Sequence, residues 1–308
     1  MTKIRVAVIG VGYLGRFHAL KYAAMEDVEL VGVVDTDASR AREVAFEAGT
    51  IAYTDYADVI GRANAVSVAV PTSVHAAVSI PMLEKGIAVL LEKPMAAGIE
   101  DSKAIIDAAE KGHAILQIGH LERFNPALLK LADSIKKPVF IEVHRISPFK
   151  ERGTDVDVIL DLMIHDIDII LSLVKSEIIS VEAIGMPVLT DAVDIANARL
   201  KFSSGCIANI TASRISADVM RKIRIFQPDS YISIDYANAI VDVYTLGENR
   251  QILHARHDIS ESDALQAEIR SFVDAVKGEN TVVVDGLAGL KAIEVAYLIK
   301  NNMLLPER

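Results

Sequence analysis

Ile4-Arg5-Val6-Ala7-Val8-Ile9-Gly10-Val11-Gly12-Tyr13-Leu14-Gly15 is the stretch on which the fold turns. A short apolar, largely β-branched run ends in glycines, and a helical pattern follows from Tyr13 to Ala24. Glycines spaced like this are weak evidence alone, but here they leave a strand and open a helix, the setting that cradles a dinucleotide pyrophosphate. Gly10 permits the tight turn, Gly12 lets the backbone approach the phosphates, and Gly15 lets the helix pack against the strand. The helix N-terminus faces the phosphates with its N–H groups and positive dipole end. Asp35 ends the next strand, 20 residues after Gly15, where a carboxylate bonds the ribose hydroxyls. A carboxylate there repels a 2′-phosphate, so NAD is expected over NADP. Arg16 and Arg40 are the cations that would favour NADP, although exposed helix surface is their plainer reading.

Outward from this turn, the pattern repeats. Val28 to Val34 reads as a strand, Ser39 to Ala48 as a helix, and Ala65 to Val70, Ile87 to Leu91 and Ala114 to Ile118 as further strands. Continuous apolar strands alternating with helices predict a parallel sheet covered on both faces. After Gly119 the texture changes. Asn125-Pro126 signals a short helix, with Asn as N-cap and Pro at the first helical position. A helix over Val156 to Val174 precedes strands with period-2 character: Ile178 to Ile184, Ile195 to Phe202, Cys206 to Ile215, Ile223 to Phe226, Ile232 to Tyr236 and Ile240 to Tyr244. Helices near Ser262 to Val276 and Gly286 to Asn302 follow. The expected fold is α/β: a Rossmann dinucleotide-binding domain over 1–120, then an α+β domain over 121–308 with a large, mostly antiparallel sheet for substrate binding and oligomerisation.

Composition narrows the partners. The 308 residues include 32 Lys+Arg against 42 Asp+Glu, a formal charge of −10, which disfavours nucleic acid as a partner. The one cysteine, Cys206, allows no internal disulfide and no Cys-rich zinc site, and fits a cytoplasmic setting. The greasiest later segment, Val156 to Val174, carries Asp157, Asp161, His165, Asp166 and Asp168, so no membrane span is expected.

Two further constellations carry chemistry. Leu91-Glu92-Lys93-Pro94 stands at the carboxyl end of a parallel strand, where open α/β sheets bind their ligands. Asp161, His165 and Asp168 fall at i, i+4 and i+7 on one helix, a polar stripe in apolar surroundings and therefore expected to be buried. A hydrogen-bonded structural histidine and a metal site are both open readings of that stripe.

Taken together, these motifs resemble the Gfo/Idh/MocA oxidoreductases, essentially from end to end. The resemblance also covers Val70-Pro71-Thr72 with His75, and Gln117-x-Gly119 leading to Arg123. It implies Lys93, Asp161 and His165 as the catalytic set, with no metal. It further implies cofactor contacts at Gly10, Gly12, Tyr13, Leu14, Gly15, Asp35, Pro71, Thr72, His75, Glu92 and Lys93. Within the family, Gly119-His120-Leu121-Glu122-Arg123-Phe124-Asn125-Pro126 and Leu162 to Asp168 resemble the members that oxidise the 3-hydroxyl of UDP-N-acetylglucosamine. The expected reaction is therefore NAD-dependent oxidation of a sugar-ring secondary alcohol. Substrate contacts are expected from Arg123, Asn125, Lys150, Arg152, Asp161 and His165, with His144, Arg145, Arg221, Lys222 and Arg224 as further cations for a diphosphate, although solvated loop or strand-edge charge is the plainer reading of any single basic residue among them. Oxidation of inositol or a free monosaccharide, and a non-catalytic NAD sensor, are the competing readings. The long antiparallel sheet has few helices to cover it, and by the same resemblance a homodimer or homotetramer is expected.

Overall fold

The computed structural model describes residues 3–131, 134–149, 156–259 and 263–305. The chain divides into two compact units, Met1–Phe124 with Asp263–Lys291, and Asn125–Ser262 with Ala292–Arg308.

The first unit opens with β1 (Ile4–Ile9), α1 (Tyr13–Ala23), β2 (Val28–Val34), α2 (Ala38–Ala48), β3 (Ala52–Tyr53) and β4 (Ala65–Val68). It continues with α3 (His75–Leu83), β5 (Ala88–Glu92), α4 (Ile99–Gly112) and β6 (Leu116–Gly119). The strands pair in parallel in the order β3-β2-β1-β4-β5-β6. Strand order reverses beside β1, which leaves a crevice at the carboxyl ends of β1 and β4. Every residue of β4 and β5 is buried, as a sheet covered on both faces requires. Local chemistry fixes the helix ends: the Asp37 side chain caps α2 by accepting the Ser39 and Arg40 N–H groups, and Gly49 ends that helix at φ 65°.

The second unit contains α5 (Pro126–Leu131), β7 (Phe140–Ile146), α6 (Ile164–Leu173), β8 (Ile178–Met186), β9 (Ile195–Phe202) and β10 (Ile207–Ser213). Its remaining long strands are β11 (Met220–Phe226), β12 (Ser230–Asp235), β13 (Ile240–Leu246) and β14 (Ile252–Asp258). Further along the chain, α7 (Ala264–Val276) belongs to the first unit, α8 (Gly286–Asn301) runs from the first unit into the second, and the short β15 (Met303–Leu304) lies in the second. Among the described residues nine strands form one sheet, β14-β13-β12-β11-β7-β10-β9-β8-β15. Pairing is antiparallel except for β10 with β7 and β15 with β8. β9 alternates buried and open positions, with Ala196, Ala198, Leu200 and Phe202 inward.

Three differences from the sequence reading have physical causes. Residues 263–291 return to the first unit, so the second domain is not the contiguous 121–308. In α7, Ile269, Phe272 and Val273 are fully buried in the core that β1, β2 and α1 build, and Asp27 grips Arg270 of the same helix and Lys277 at its C-cap. The helix expected over Val156 to Val174 starts instead as a π turn, Ile159–Met163, and becomes α-helical from Ile164. Finally, β14 joins the sheet as an edge strand. Its residues are exposed on both faces except the half-buried His257, so it lacks the alternation that marks a strand.

Candidate active site

The glycine turn of the first unit is a cradle. Gly10 takes φ 83°, and a Cβ there would meet the Ala69 carbonyl oxygen at 2.6 Å. A Cβ on Gly15 would lie 1.8 Å from the Gly10 carbonyl oxygen, so helix and strand touch through that position. Around Gly12 no atom lies within 4 Å of such a Cβ, which leaves space where backbone can approach a pyrophosphate. No side chain caps the first turn of α1. These residues fit a dinucleotide: one glycine for the turn, one for packing and one facing open space at a helix N-terminus. Tyr13 is exposed and stacks edge-on against Phe17, and Leu14 is half-buried.

Asp35 stands at the end of this cradle and helps hold it. Its Oδ2 accepts the Val11 N–H at 3.1 Å and its Oδ1 accepts the Asp37 N–H at 2.9 Å. Each carboxylate oxygen retains acceptor capacity for a ribose hydroxyl. Arg40 Nη1 stands 3.5 Å from Asp35 Oδ2 and Nη2 stands 3.2 Å from Asp37, whereas Arg16 is engaged by Glu47.

The loops after β4 and β5 are tied together by His75. Its Nδ1 lies 3.0 Å from the Pro94 carbonyl oxygen and 3.3 Å from that of Met95, and its Nε2 lies 3.0 Å from that of Val70. Burial lowers its pKa against the opposing pull of these carbonyls. The ring is enclosed and its nitrogens face backbone, so its side chain acts as a strut between the two loops. Pro71 is exposed and Thr72 half-buried on the loop that His75 braces.

Lys93 follows β5, half-buried, joined to Pro94 by a cis peptide bond. The Glu92 side chain turns inward. Its Oε1 lies 3.1 Å from His18 Nε2, and its Oε2 accepts the Lys93 N–H at 3.3 Å. Gly119 on the neighbouring β6 makes this possible, since a Cβ there would come within 3.2 Å of the Glu92 carboxylate. Among the described residues one cluster, His18, Glu92 and Glu268, has ligand-type atoms within 4.8 Å of one another, and it is not the stripe of Asp161, His165 and Asp168 for which a metal was an open reading.

In the second unit Asp161 lies in the π turn, a feature frequent at functional sites, and His165 in the first turn of α6. Both are half-buried, which corrects the expectation of full burial; the acids fully inside this helix are Asp166 and Asp168. Arg145 Nε and Nη2 each reach the Asp166 carboxylate at 2.8 Å. That guanidinium is therefore engaged inside the unit. Arg224 pairs with Glu142 at 2.6 Å and Lys222 approaches Asp235 at 3.9 Å, so these two also have carboxylate neighbours within the sheet. Arg221 is exposed and His144 half-buried. Asn125 Oδ1 accepts the Ala127 N–H at 3.0 Å, capping α5, and Arg123, in the first unit, is half-buried on the turn Leu121–Phe124. Lys150 and Arg152 lie outside the described residues.

Sequence reasoning missed three arrangements. One is the Arg145–Asp166 pair. Another is Asp194, whose carboxylate accepts the N–H groups of Val188, Leu189 and Thr190 and the Arg214 Nε. The third is Glu268 beside His18. Its signal was present: Glu268 interrupts the apolar stripe of Leu265, Ile269, Phe272 and Val276 on α7.

A glycine cradle at the switch point of a parallel sheet, with an acid closing the next strand, defines a dinucleotide-binding α/β unit. The chain belongs to the Gfo/Idh/MocA oxidoreductase family. Residues 4–120 match the family's NAD-binding Rossmann domain and residues 141–227 its C-terminal domain. The chain is 38% identical over 306 residues to UDP-N-acetylglucosamine 3-dehydrogenase of Acidithiobacillus ferrooxidans, covering 97% of both chains. A solved structure of that enzyme superposes with a TM-score of 0.92 over 98% of both chains. The scyllo-inositol 2-dehydrogenase (NAD(+)) of Bacillus subtilis is 26% identical over 322 residues, 97% of this chain and 94% of its own. Levoglucosan dehydrogenase in complex with NADH shares the fold at a TM-score of 0.89 and 18% identity, over 98% of this chain and 97% of that one. No helix among the described residues is long and apolar enough to cross a membrane.

Proposed function

We propose that this protein is an NAD-dependent dehydrogenase that oxidises the 3-hydroxyl of UDP-N-acetylglucosamine or a related nucleotide sugar. The observation that carries the substrate choice is the end-to-end similarity to a UDP-N-acetylglucosamine 3-dehydrogenase at 38% identity, against 26% for the inositol enzyme of comparable coverage.

In this reading Gly10, Gly12 and Gly15 seat the pyrophosphate and Asp35 the ribose, with preference for NAD over NADP. Bound NAD supplies the acceptor for the substrate's hydride. His165 takes the hydroxyl proton, since an imidazole titrates near neutral pH. Asp161, one turn earlier, orients that ring. Lys93 bonds the reacting oxygen and stabilises the negative charge that develops there. The alcohol carbon loses hydride and its oxygen loses a proton, which leaves a ring ketone. Lys93 and His165 are the two candidates for proton acceptor, and separate variants of each distinguish them. Arg123 and Asn125 serve the substrate, and the diphosphate is met by Lys150 and Arg152. A homodimer or homotetramer built on the large sheet, working in the cytoplasm, completes the proposal.

The test is NADH formation from NAD and a panel of UDP-N-acetylglucosamine, inositols and free hexoses. Turnover of the nucleotide sugar, abolished in Lys93→Met and His165→Ala, is the expected result. Robust oxidation of an unphosphorylated polyol, with no competition from UDP, overturns it.

A further inference from the structure

Glu268 lies on α7 within the first unit. Its surface is fully buried, and neither carboxylate oxygen has a hydrogen-bond partner among the described residues. One ligand-type atom of Glu268 lies within 4.8 Å of those of His18 and Glu92. Ionised carboxylates are not left bare in protein interiors; they are paired or they take a proton.

The neighbours decide between these. From α1 come His18 and Tyr22, and from β4 comes Ser67, whose Oγ lies 3.2 Å from His18 Nδ1 and 2.8 Å from the Tyr22 hydroxyl. From β5 comes Glu92. From β6 comes Gln117, whose Nε2 donates to the Glu268 backbone oxygen at 3.2 Å. α7 also packs on the turn carrying the half-buried Glu122 and Arg123. Within the cluster itself the Glu92 carboxylate has a polar neighbour in His18, whose Nε2 lies 3.1 Å from Oε1, whereas neither oxygen of Glu268 has a hydrogen-bond partner. A second ionised acid beside them would be uncompensated. Burial first, and then the adjacent Glu92 charge, push the Glu268 carboxyl well above the ordinary range.

We propose that Glu268 is a positioning residue, held as a neutral carboxylic acid, that keeps Glu92 as the sole anion of the cluster and so fixes the strand end bearing Lys93. The link to Lys93 is direct, because Glu92 Oε2 accepts the Lys93 backbone N–H. The kinetic part of this inference rests on the role proposed above for Lys93; the proton on Glu268 does not. A divalent cation shared by the three side chains is the rival arrangement, since it would balance two carboxylates equally well.

The full-length protein tests it without knowledge of the substrate. Infrared difference spectra of wild type against Glu268→Gln near neutral pH should show the carbonyl stretch of a protonated carboxyl in wild type only. An acid whose native pKa is raised stabilises the fold below its unfolded value and loses that contribution as pH rises. Glu268→Gln should therefore gain thermal stability relative to wild type as pH rises from about 5 to 8. A missing carbonyl band, a stability difference that does not vary with pH, or a stoichiometric divalent metal by elemental analysis overturns the proposal. For the positioning part, Glu268→Met should lower kcat about tenfold, because the buried Glu92 carboxylate loses the polar group beside it. Glu268→Gln should restore turnover to within about threefold of wild type, since its amide mimics the neutral acid. Equal losses in both variants, with the carbonyl band present, overturn the positioning role. Absence of NADH formation from every sugar in wild type condemns the functional reading instead, while the infrared and stability results still judge the proton.

Discussion

Arg145 on β7 holds Asp166 on α6 through two parallel hydrogen bonds of 2.8 Å, and both side chains are buried. Asp166 directly follows His165, so this fork sets the angle at which the helix carries its histidine. Removing one partner of a buried ion pair is far costlier than the pair is worth, because a buried charge is left behind. Arg145→Ala is expected to lower stability by about 3 kcal/mol in urea denaturation. Any folded fraction should lose kcat more than it gains KM. A loss below about 1 kcal/mol would mean that water or a neighbour replaces the guanidinium.

The glycine turn separates folding from cofactor binding at two neighbouring positions. Gly15→Ala forces a methyl to 1.8 Å from the Gly10 carbonyl oxygen, so the variant should be largely insoluble or unfolded. Gly12→Ala meets no protein atom within 4 Å and keeps an ordinary φ of −64°. It should melt within a few degrees of wild type yet bind NAD at least about tenfold more weakly, by loss of close phosphate approach. Calorimetric titration with NAD, beside a melting curve for each variant, checks both. Unimpaired NAD binding by Gly12→Ala would move the phosphates away from this turn.

What the sequence disclosed was local. The glycine turn, Asp35 and the strand ahead of Lys93 depend on residues close together in the chain, and all could be read there. The inward turn of Glu92 was hidden, because it depends on His18 from α1 and on the absence of a side chain at Gly119. The polar stripe of Asp161, His165 and Asp168 was read on α-helical spacing throughout. The π turn and the partner offered by Arg145 make Asp166, outside that stripe, an ion-paired acid of the helix. β14 was hidden for the opposite reason: an edge strand open on both faces needs no apolar alternation. The return of α7 to the first unit could be suspected only from its apolar stripe, which does not say which sheet it will cover.

Asp194 makes a pH-dependent contribution with a defined sign. Burial works to raise its pKa, but hydrogen bonds from Thr190, Val188 and Leu189 outweigh it and hold the carboxylate well below the usual range. A depressed carboxylate stabilises the fold above its unfolded pKa and loses that contribution as pH falls through its native value. Arg214, paired with Asp194 at 2.9 Å, also donates to the Val156 carbonyl at 3.0 Å, bracing the approach to the helix of Asp161 and His165. Asp194→Asn should cost about 3 kcal/mol at neutral pH, and the difference from wild type should shrink below about pH 4. Urea titrations across that range decide it; a difference constant with pH would remove the carboxylate's charge from the explanation.

The proposed preference for NAD rests on Asp35 and the arginine beside it. In the proposed function the Asp35 carboxylate would repel a 2′-phosphate, and it stands 3.5 Å from Arg40 Nη1, the cation that would welcome one. Asp35→Ser removes the charge and releases Arg40 to its weaker, exposed partnership with Asp37. The ratio of kcat/KM for NAD to that for NADP should fall about a hundredfold, equivalent to about 2.7 kcal/mol. The serine cannot accept both the Val11 and Asp37 N–H groups as the carboxylate does, so a stability loss of about 1 kcal/mol should accompany the change. That loss is independent of cofactor and can be measured without it. Adding Arg40→Ala to Asp35→Ser should abolish the gain with NADP while leaving the loss with NAD. If the double variant uses NADP as well as the single one does, Arg40 has no part in phosphate recognition. Wild-type protein that uses NADP as well as NAD would overturn the ribose role of Asp35 itself.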